Sequence, residues 1–137
     1  MKKLIFILLA AAVLASCQST PVTGTTVTVT DGSYQNVTSD DLNSMLKNKD
    51  FVFVNVHTPF GGNIAGTDLS VSYDQISASE NLSQLPADKS GKIVLYCRSG
   101  HMSEIAAEEL VSFGYTNVWN LTGGMVEWEQ AGYEIAK

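Results

Sequence analysis

The sequence predicts an α/β fold, an open parallel β-sheet flanked by helices on both faces. First, three apolar runs at 51–56, 93–96 and 117–121 alternate with segments of helical periodicity. Second, the run at 51–56 is nearly continuous rather than alternating, which is typical of parallel strands that are covered on both faces. Third, the chain has 137 residues, of which 45% are apolar, and this is enough for one hydrophobic core.

The N-terminus predicts an exported lipoprotein. Lys2 and Lys3 precede an apolar run that ends in small residues, an order typical of a secretory signal peptide, which we expect over residues 1–16. Leu-Ala-Ser-Cys then predicts lipidation of Cys17 with palmitate-type chains, anchoring the protein to the membrane of the bacterial cell envelope. Gln18 fits outer-membrane sorting, facing the periplasm, in a host that has an outer membrane. The alternative is an ordinary cleaved signal in which Cys17 has no role.

The next segment predicts a link between the anchor and the folded domain. Residues 17–33 are rich in Ser and Thr, which favours a lipidated tether. The alternation of Thr and Val at 25–30 also fits an edge strand, and we favour the tether. The folded domain is therefore expected over 34–137.

The domain is predicted to alternate strands with helices. Its helix faces are apolar: Ala106, Leu110 and Phe113 share one face, and Met125 and Trp128 point inward from the last helix. In order, the predicted elements are a strand at 34–37, a helix at 38–47 capped by Thr38, a strand at 51–56, a loop at 57–67, a strand at 68–71, helical pieces at 74–76 and 80–85, a strand at 93–96, a helix from Ser103-Glu104 to Gly114, a strand at 117–121 and a helix at 125–130.

The cysteine that follows the strand at 93–96 is the main candidate for chemistry. Cys97 lies where that strand ends and a helix follows, and ligands bind at the carboxyl ends of such strands. Loop N–H groups and the positive end of the helix dipole favour a thiolate, and Arg98, the only arginine, suits anion binding. A buried inert cysteine and a Cys17–Cys97 disulfide are the alternatives.

Charge and cysteine number exclude several classes of function. The formal charge is −6, and loss of Lys2 and Lys3 with the leader leaves −8, so nucleic acid is not an expected partner. No Cys-x-x-Cys is present, which argues against thioredoxin-like exchange. The sequence leaves the oligomeric state open.

Four segments of the chain resemble the single-domain rhodanese (thiosulfate sulfurtransferase-like) family. They are Phe-Val-Asn-Val-His-Thr-Pro at 53–59, Ile-Ala-Gly-Thr at 64–67, Tyr-Cys-Arg-Ser-Gly-His-Met-Ser at 96–103 and Gly-Tyr-Thr-Asn-Val-Trp-Asn-Leu-Thr-Gly-Gly-Met-Val-Glu-Trp at 114–128. The resemblance implies a rhodanese-like fold and a sulfurtransferase. Cys97 would take sulfane sulfur from thiosulfate or a related small sulfur-containing anion, hold it as a persulfide and pass it to a thiol or cyanide. The implied substrate-binding residues are Arg98, Ser99, Gly100, His101, Met102 and Ser103, and neither a cofactor nor a metal is implied.

Three departures from the family pattern affect the expected site. Asn55 and His57 stand where the family has Asp and Arg, so we expect a neutral hydrogen-bonded pair in place of an ion pair. The segment after Pro59 is shorter than in the family, so one wall of the site is expected to be rebuilt. Met102 stands where many members of the family have Arg or Thr, so a cationic contact is lost and a donor other than thiosulfate is expected to suit the site better.

Two other functions compete with sulfur transfer for this sequence. Phosphatases with a related fold need an arginine six positions after the cysteine, where this chain has Ser103, so phosphatase chemistry is discounted. The remaining alternative is a non-catalytic, membrane-tethered module that binds or senses sulfide or persulfide.

Overall fold

A six-stranded, mostly parallel sheet forms the centre of the molecule. The structure, a computed structural model, describes residues 20–137, so the leader and Cys17 lie outside the described residues. The strands are β1 (Thr25–Val29), β2 (Gly32–Val37), β3 (Val52–Asn55), β4 (Leu69–Ser70), β5 (Ile93–Tyr96) and β6 (Val118–Leu121). Their order is β1-β2-β6-β5-β3-β4, and every neighbouring pair is parallel except β1 with β2. The predicted fold class is confirmed.

Helices cover both faces of this sheet, as predicted. They are α1 (Ser39–Leu46), α2 (Ser79–Leu82), α3 (His101–Ser112) and α4 (Gly124–Gln130), with a 3₁₀ turn at Tyr73–Gln75. One apolar cluster packs α3 and the 3₁₀ turn on one face of the sheet, and a second packs α1 and α4 on the other. Among residues 20–137, no helix has the length and apolar character needed to cross a membrane.

The expected tether is wrong for part of its length, because Thr25–Val29 is strand β1. Its residues pair in antiparallel register with β2, from Thr25 opposite Asn36 to Val29 opposite Gly32. The physical reason is the alternation of Thr and Val, since β-branched side chains fit a half-buried pleated surface. A two-residue turn at Thr30-Asp31 then returns the chain into β2.

Helix α1 follows the sequence closely. Thr38 is its N-cap, and the Thr38 hydroxyl accepts a hydrogen bond from the Asp41 N–H at 3.2 Å. Leu42 is fully buried, and Met45 packs against the same cluster. The apolar face of this helix therefore holds it on the sheet.

Helix α3 begins earlier than predicted, whereas the left-handed Gly114 (φ 89°) ends it as predicted. It begins at His101 rather than at Ser103-Glu104, because Gly100 has a left-handed conformation (φ 103°) that lets the chain turn directly after the cysteine. At the other end Phe113 is the C-cap and is 42% exposed, so its expected place on the buried face was wrong. The helical period no longer applies where the helix ends.

Candidate active site

Cys97 directly follows the central strand β5. All four residues of β5 are fully buried, and β6 and β3 pair with this strand on its two sides. The chain can leave such a strand only at the carboxyl edge of the sheet, and this fixes the position of the Cys97 backbone. The residue itself is 1% exposed and packs at the end of the α3-side cluster.

Two groups of the following loop and helix contact the sulfur. The Gly100 N–H donates a hydrogen bond to Cys97 Sγ at 3.0 Å, and Ser103 Oγ lies 3.5 Å from Sγ. Ser103 Oγ also lies 3.0 Å from the Gly100 carbonyl oxygen, so its single proton has two acceptors. Polar donors thus point at the sulfur although the residue is buried.

Of the loop N–H groups expected to favour a thiolate at Cys97, one reaches the sulfur. Among residues 20–137, Gly100 supplies the only backbone N–H that donates to Sγ. The second donor is the Ser103 hydroxyl, which is fully buried one turn into the helix. An anion on this sulfur therefore has one amide and one hydroxyl as its nearest donors.

The other predicted binding residues divide between the surface and the interior. Arg98, Ser99 and His101 are exposed, whereas Met102 is half-buried and packs against the core. The Arg98 guanidinium makes no hydrogen bond or ion pair with any residue in 20–137. Its donors are therefore available to a ligand at the loop surface.

Helix α4 fixes the cysteine loop from the opposite side, a support that the sequence prediction missed. The Met125 N–H donates to the Cys97 carbonyl oxygen and the Val126 N–H donates to that of Arg98, both at 2.9 Å. This approach requires Gly124, because a Cβ there would lie 2.3 Å from the Cys97 oxygen. The sequence feature that indicates this support is the Gly-Gly pair at 123–124, but only the structure shows that Gly124 packs against the backbone of the cysteine loop.

The structure corrects the expected pairing of Asn55 with His57. The Asn55 side chain is buried, and its Oδ1 accepts from the backbone N–H of His57 at 3.0 Å rather than from the imidazole. Its Nδ2 donates to the Gly62 carbonyl at 2.8 Å and to Asn63 Oδ1 at 2.9 Å. The buried Asn55 side chain therefore fixes the shortened loop after Pro59 to the end of β3.

The His57 ring lies beside the cysteine loop. Asn55 and Tyr96 are opposite each other in β3 and β5, so His57 and Arg98 follow these strands side by side. Burial lowers the pKa of His57 below its usual 6.5, and the Arg98 charge lowers it further. His57 is therefore neutral at pH 7 and adds no second positive charge beside Arg98.

Tyr96, immediately before the cysteine, connects β5 to the rebuilt loop. Its hydroxyl accepts from the Ile64 N–H at 3.0 Å and donates to Asn63 Oδ1 at 3.2 Å, and it shares a 2.7 Å bond with Thr67. Burial raises the Tyr96 pKa, while the bonds from Thr67 and Ile64 oppose that rise. Tyr96 was predicted only as a strand residue.

The described residues show no cluster of three or more His, Cys, Asp or Glu side chains that could hold a metal ion. Within the same range, Cys97 is a free cysteine. The alternative of a Cys17–Cys97 disulfide involves Cys17, which lies outside the described residues.

A family model for the rhodanese-like domain matches residues 38–131, which includes the cysteine loop and α4. This chain belongs to the rhodanese-like family. A second model, for the prokaryotic membrane lipoprotein lipid attachment site, matches residues 1–18. The rhodanese-like chain thus carries a lipoprotein attachment site ahead of its domain.

Relatives of this rhodanese-like chain include proteins with different named activities. It is 41% identical over 54 residues to a sulfurtransferase of Allochromatium vinosum, covering 39% of this chain and 49% of that protein. It is 28% identical over 98 residues to a tRNA uridine(34) hydroxylase of Hamiltonella defensa, covering 69% of this chain and 28% of that protein. The first relatives are therefore matched over less than half of their length.

Solved structures agree with the family. A rhodanese-like domain protein from Staphylococcus aureus superposes with a TM-score of 0.59 at 27% identity. The match covers 74% of this chain and 98% of that one. A single rhodanese-like domain of known structure therefore corresponds to most of the described chain.

Proposed function

We propose that this protein is a sulfurtransferase that carries sulfane sulfur as a persulfide on Cys97. The observation that carries the proposal is the Gly100 N–H aimed at Sγ at 3.0 Å, with Ser103 Oγ at 3.5 Å. Hydrogen-bond donors at a sulfur stabilise its anionic form, and the thiolate is the form that attacks sulfur. Membership of the rhodanese-like family and a sulfurtransferase-named relative give further support.

The reaction takes place in two displacements at sulfur. The Cys97 thiolate attacks the outer sulfur of thiosulfate, a new S–S bond forms, the S–S bond of the donor breaks, and sulfite leaves with the electron pair. Cyanide or a thiolate then attacks the outer sulfur of the persulfide. This step forms thiocyanate or a new persulfide and returns Cys97 as a thiolate.

The surrounding residues divide this work. Gly100 and Ser103 stabilise negative charge on the Cys97 sulfur, as donors in an oxyanion hole do for oxygen. Arg98, with unoccupied donors at the exposed loop, binds the anionic part of the donor together with His101 and Ser99. Met102 brings no charge to the loop, so polysulfides, whose charge is spread over sulfur atoms rather than concentrated on a sulfonate, are expected to compete well with thiosulfate.

We also propose the cellular setting of this activity. Residues 1–16 are removed as a signal peptide, and Cys17 is lipidated, which the attachment-site match supports. The acyl chains anchor the exported domain to a membrane of the cell envelope, the outer membrane facing the periplasm where the host has one. The domain proposed to carry the chemistry extends to residue 137.

Thiocyanate formation from cyanide tests the proposal. Purified protein is assayed with thiosulfate and with polysulfide, beside Cys97→Ser and Arg98→Ala. We expect Cys97→Ser to abolish turnover with every donor, and Arg98→Ala to raise KM for thiosulfate more than for polysulfide. Turnover that survives in Cys97→Ser, or its absence with every donor, would refute the assignment.

The near-complete burial of Cys97 favours a second candidate, a non-catalytic module that holds sulfide or persulfide. A 1% exposed residue protects a bound sulfur from exchange with solvent. Such a module would retain a persulfide in the presence of cyanide and thiols. The enzyme would release it within the assay.

A further inference from the structure

The folded body begins well before residue 34. Val22 is half-buried and packs against the cluster under α1 and α4. Gly24 lies against β2 and β6, where an added Cβ would stand 2.8 Å from Gln35 Cβ and 2.9 Å from the Trp119 ring. The chain is therefore fixed to the domain from Val22 onward, which leaves a much shorter tether than the sequence suggested.

The fixed segment leaves the domain at one defined place. Thr20, Pro21 and Val22 line a shallow groove together with five residues that we call the tether face: Ser44, Met45, Asn48, Asp50 and Lys92. Asp50 stands two residues before β3 and Lys92 immediately before β5, so the tether face lies at the amino edge of the parallel sheet.

The cysteine lies at the other end of the same strands. Cys97 follows Lys92 by five residues along β5. At about 3.3 Å per residue, the strand places the two roughly 16 Å apart along its axis. The loop that carries Arg98 and Ser99 therefore opens away from the tether face.

The length of chain between lipid and domain restricts how the domain can turn. Val22 follows Cys17 by five steps along the chain, and at no more than ~3.6 Å per step the two residues are at most ~18 Å apart. A folded body of this size is roughly 35 Å across, from the usual scaling of radius with length. An anchor that starts at the tether face cannot pass round the domain to its opposite edge.

We propose that the tether face rests against the phospholipid headgroups and that the Cys97 edge faces the aqueous compartment. This inference rests on the lipidation of Cys17 proposed above and is independent of sulfur transfer. Donor and acceptor then reach the cysteine from the aqueous side, so a water-soluble thiol or sulfur anion suits the site and a lipid-buried acceptor does not.

The charges of the two edges agree with this orientation. Four of the six basic residues in 20–137 (Lys47, Lys49, Lys89 and Lys92) lie in the connections that lead into β3 and β5, with Asp50, Asp68 and Asp88 beside them. The first turns of the helices that follow β2, β5 and β6 carry Asp40, Asp41, Glu104 and Glu127, and the cysteine loop carries Arg98. An anionic leaflet therefore repels the amino edge less than the carboxyl edge.

Site-specific fluorescence on vesicles tests the orientation. Full-length lipidated protein is reconstituted in phosphatidylethanolamine and phosphatidylglycerol vesicles that carry a headgroup-attached quencher. Two exposed positions take the label in a Cys97→Ser background: Asn48→Cys on the tether face and Thr122→Cys, just after β6, at the opposite edge. We expect quenching to be several-fold stronger at position 48.

A tether insertion supplies the control. A flexible Gly/Ser insert of about 20 residues before Ser19 extends the reach by roughly 25 Å, and we expect it to reduce the difference in quenching between the two positions. Equal quenching with the native tether, or stronger quenching at position 122, would overturn the orientation, and so would a chain that does not float with the vesicles. Thiocyanate formation by the unlabelled wild-type chain in detergent reports separately on the proposed sulfur transfer.

Discussion

Gly124→Ala is the substitution that most directly tests how α4 holds the cysteine loop. Gly124 has φ +56°, and a Cβ at this position would lie 2.3 Å from the Cys97 carbonyl oxygen and 2.8 Å from that of Arg98. Both neighbours are backbone atoms, so neither can rotate aside. The loop must separate from α4, which breaks the 2.9 Å bonds from Met125 and Val126.

The expected cost has two parts. A left-handed conformation costs an alanine roughly 1–2 kcal/mol. Loss of two backbone hydrogen bonds adds about 0.5–1.5 kcal/mol each. The free energy of unfolding should therefore fall by about 2–5 kcal/mol, and persulfide formation on Cys97 should fall with it because the sulfur loses its fixed position.

Gly132→Ala is the matched control. Gly132 also has a left-handed φ, +92°, but nothing lies within 4 Å of its added Cβ. The free energy of unfolding of Gly132→Ala should fall only by the conformational cost, about 1–2 kcal/mol. Persulfide formation on Cys97 should be unchanged in this variant. In urea unfolding, with a slope of about 2 kcal/mol per molar, the two midpoints should differ by roughly 0.5–1.5 M. Equal midpoints, or a fully reactive Gly124→Ala protein, would refute the proposed support by α4.

Three further predictions concern side chains around the loop. Ser103→Ala should slow alkylation of Cys97 by iodoacetamide roughly two- to tenfold, which corresponds to the loss of one hydrogen bond. Ser99→Ala, at the exposed loop, should leave the alkylation rate unchanged. Equal rates in the two variants would show that Ser103 has no role at the sulfur. Asn55→Asp should lower the free energy of unfolding by about 3 kcal/mol at neutral pH, because it buries a carboxylate against two oxygen acceptors. Urea unfolding should show a smaller loss of stability at pH 4, where the carboxyl is protonated. A loss of stability that does not depend on pH would contradict this reasoning. Arg98→Ala should raise the pKa of His57 toward 6.5 without reaching it, since burial is the larger cause of the lowered pKa. An NMR titration of His57 in a His101→Gln background measures this shift. An unchanged midpoint would show that Arg98 and His57 are not neighbours.

The sheet and most helices were predictable because their determinants are local. The runs at 51–56 and 93–96 are apolar apart from Asn55, a pattern typical of strands buried on both faces of a parallel sheet. Thr38 with its acidic first turn likewise marked the start of α1 correctly. The error at 25–29 arose because Ser- and Thr-rich composition fits a tether, while alternation fits a strand, and only pairing with β2 decides between them.

The site was predictable only in part, because its geometry depends on contacts between distant segments. The position of Cys97 at the end of β5 follows from the sequence order. Which donors reach its sulfur depends on the left-handed turn at Gly100, and this turn makes Ser103 a contact although the sequence placed it at a helix cap. The roles of Gly124 and Tyr96 depend on contacts with residues that lie 26 to 32 positions away in the sequence.

The central claim is that the sulfur of Cys97 accepts a second sulfur, and intact-protein mass spectrometry tests it most directly. After incubation with thiosulfate or polysulfide and removal of the donor, the wild-type chain should gain the mass of one sulfur atom. Cyanide should remove that mass, and Cys97→Ser should never acquire it. An unchanged mass with every donor, or an adduct that persists in Cys97→Ser, would contradict the account.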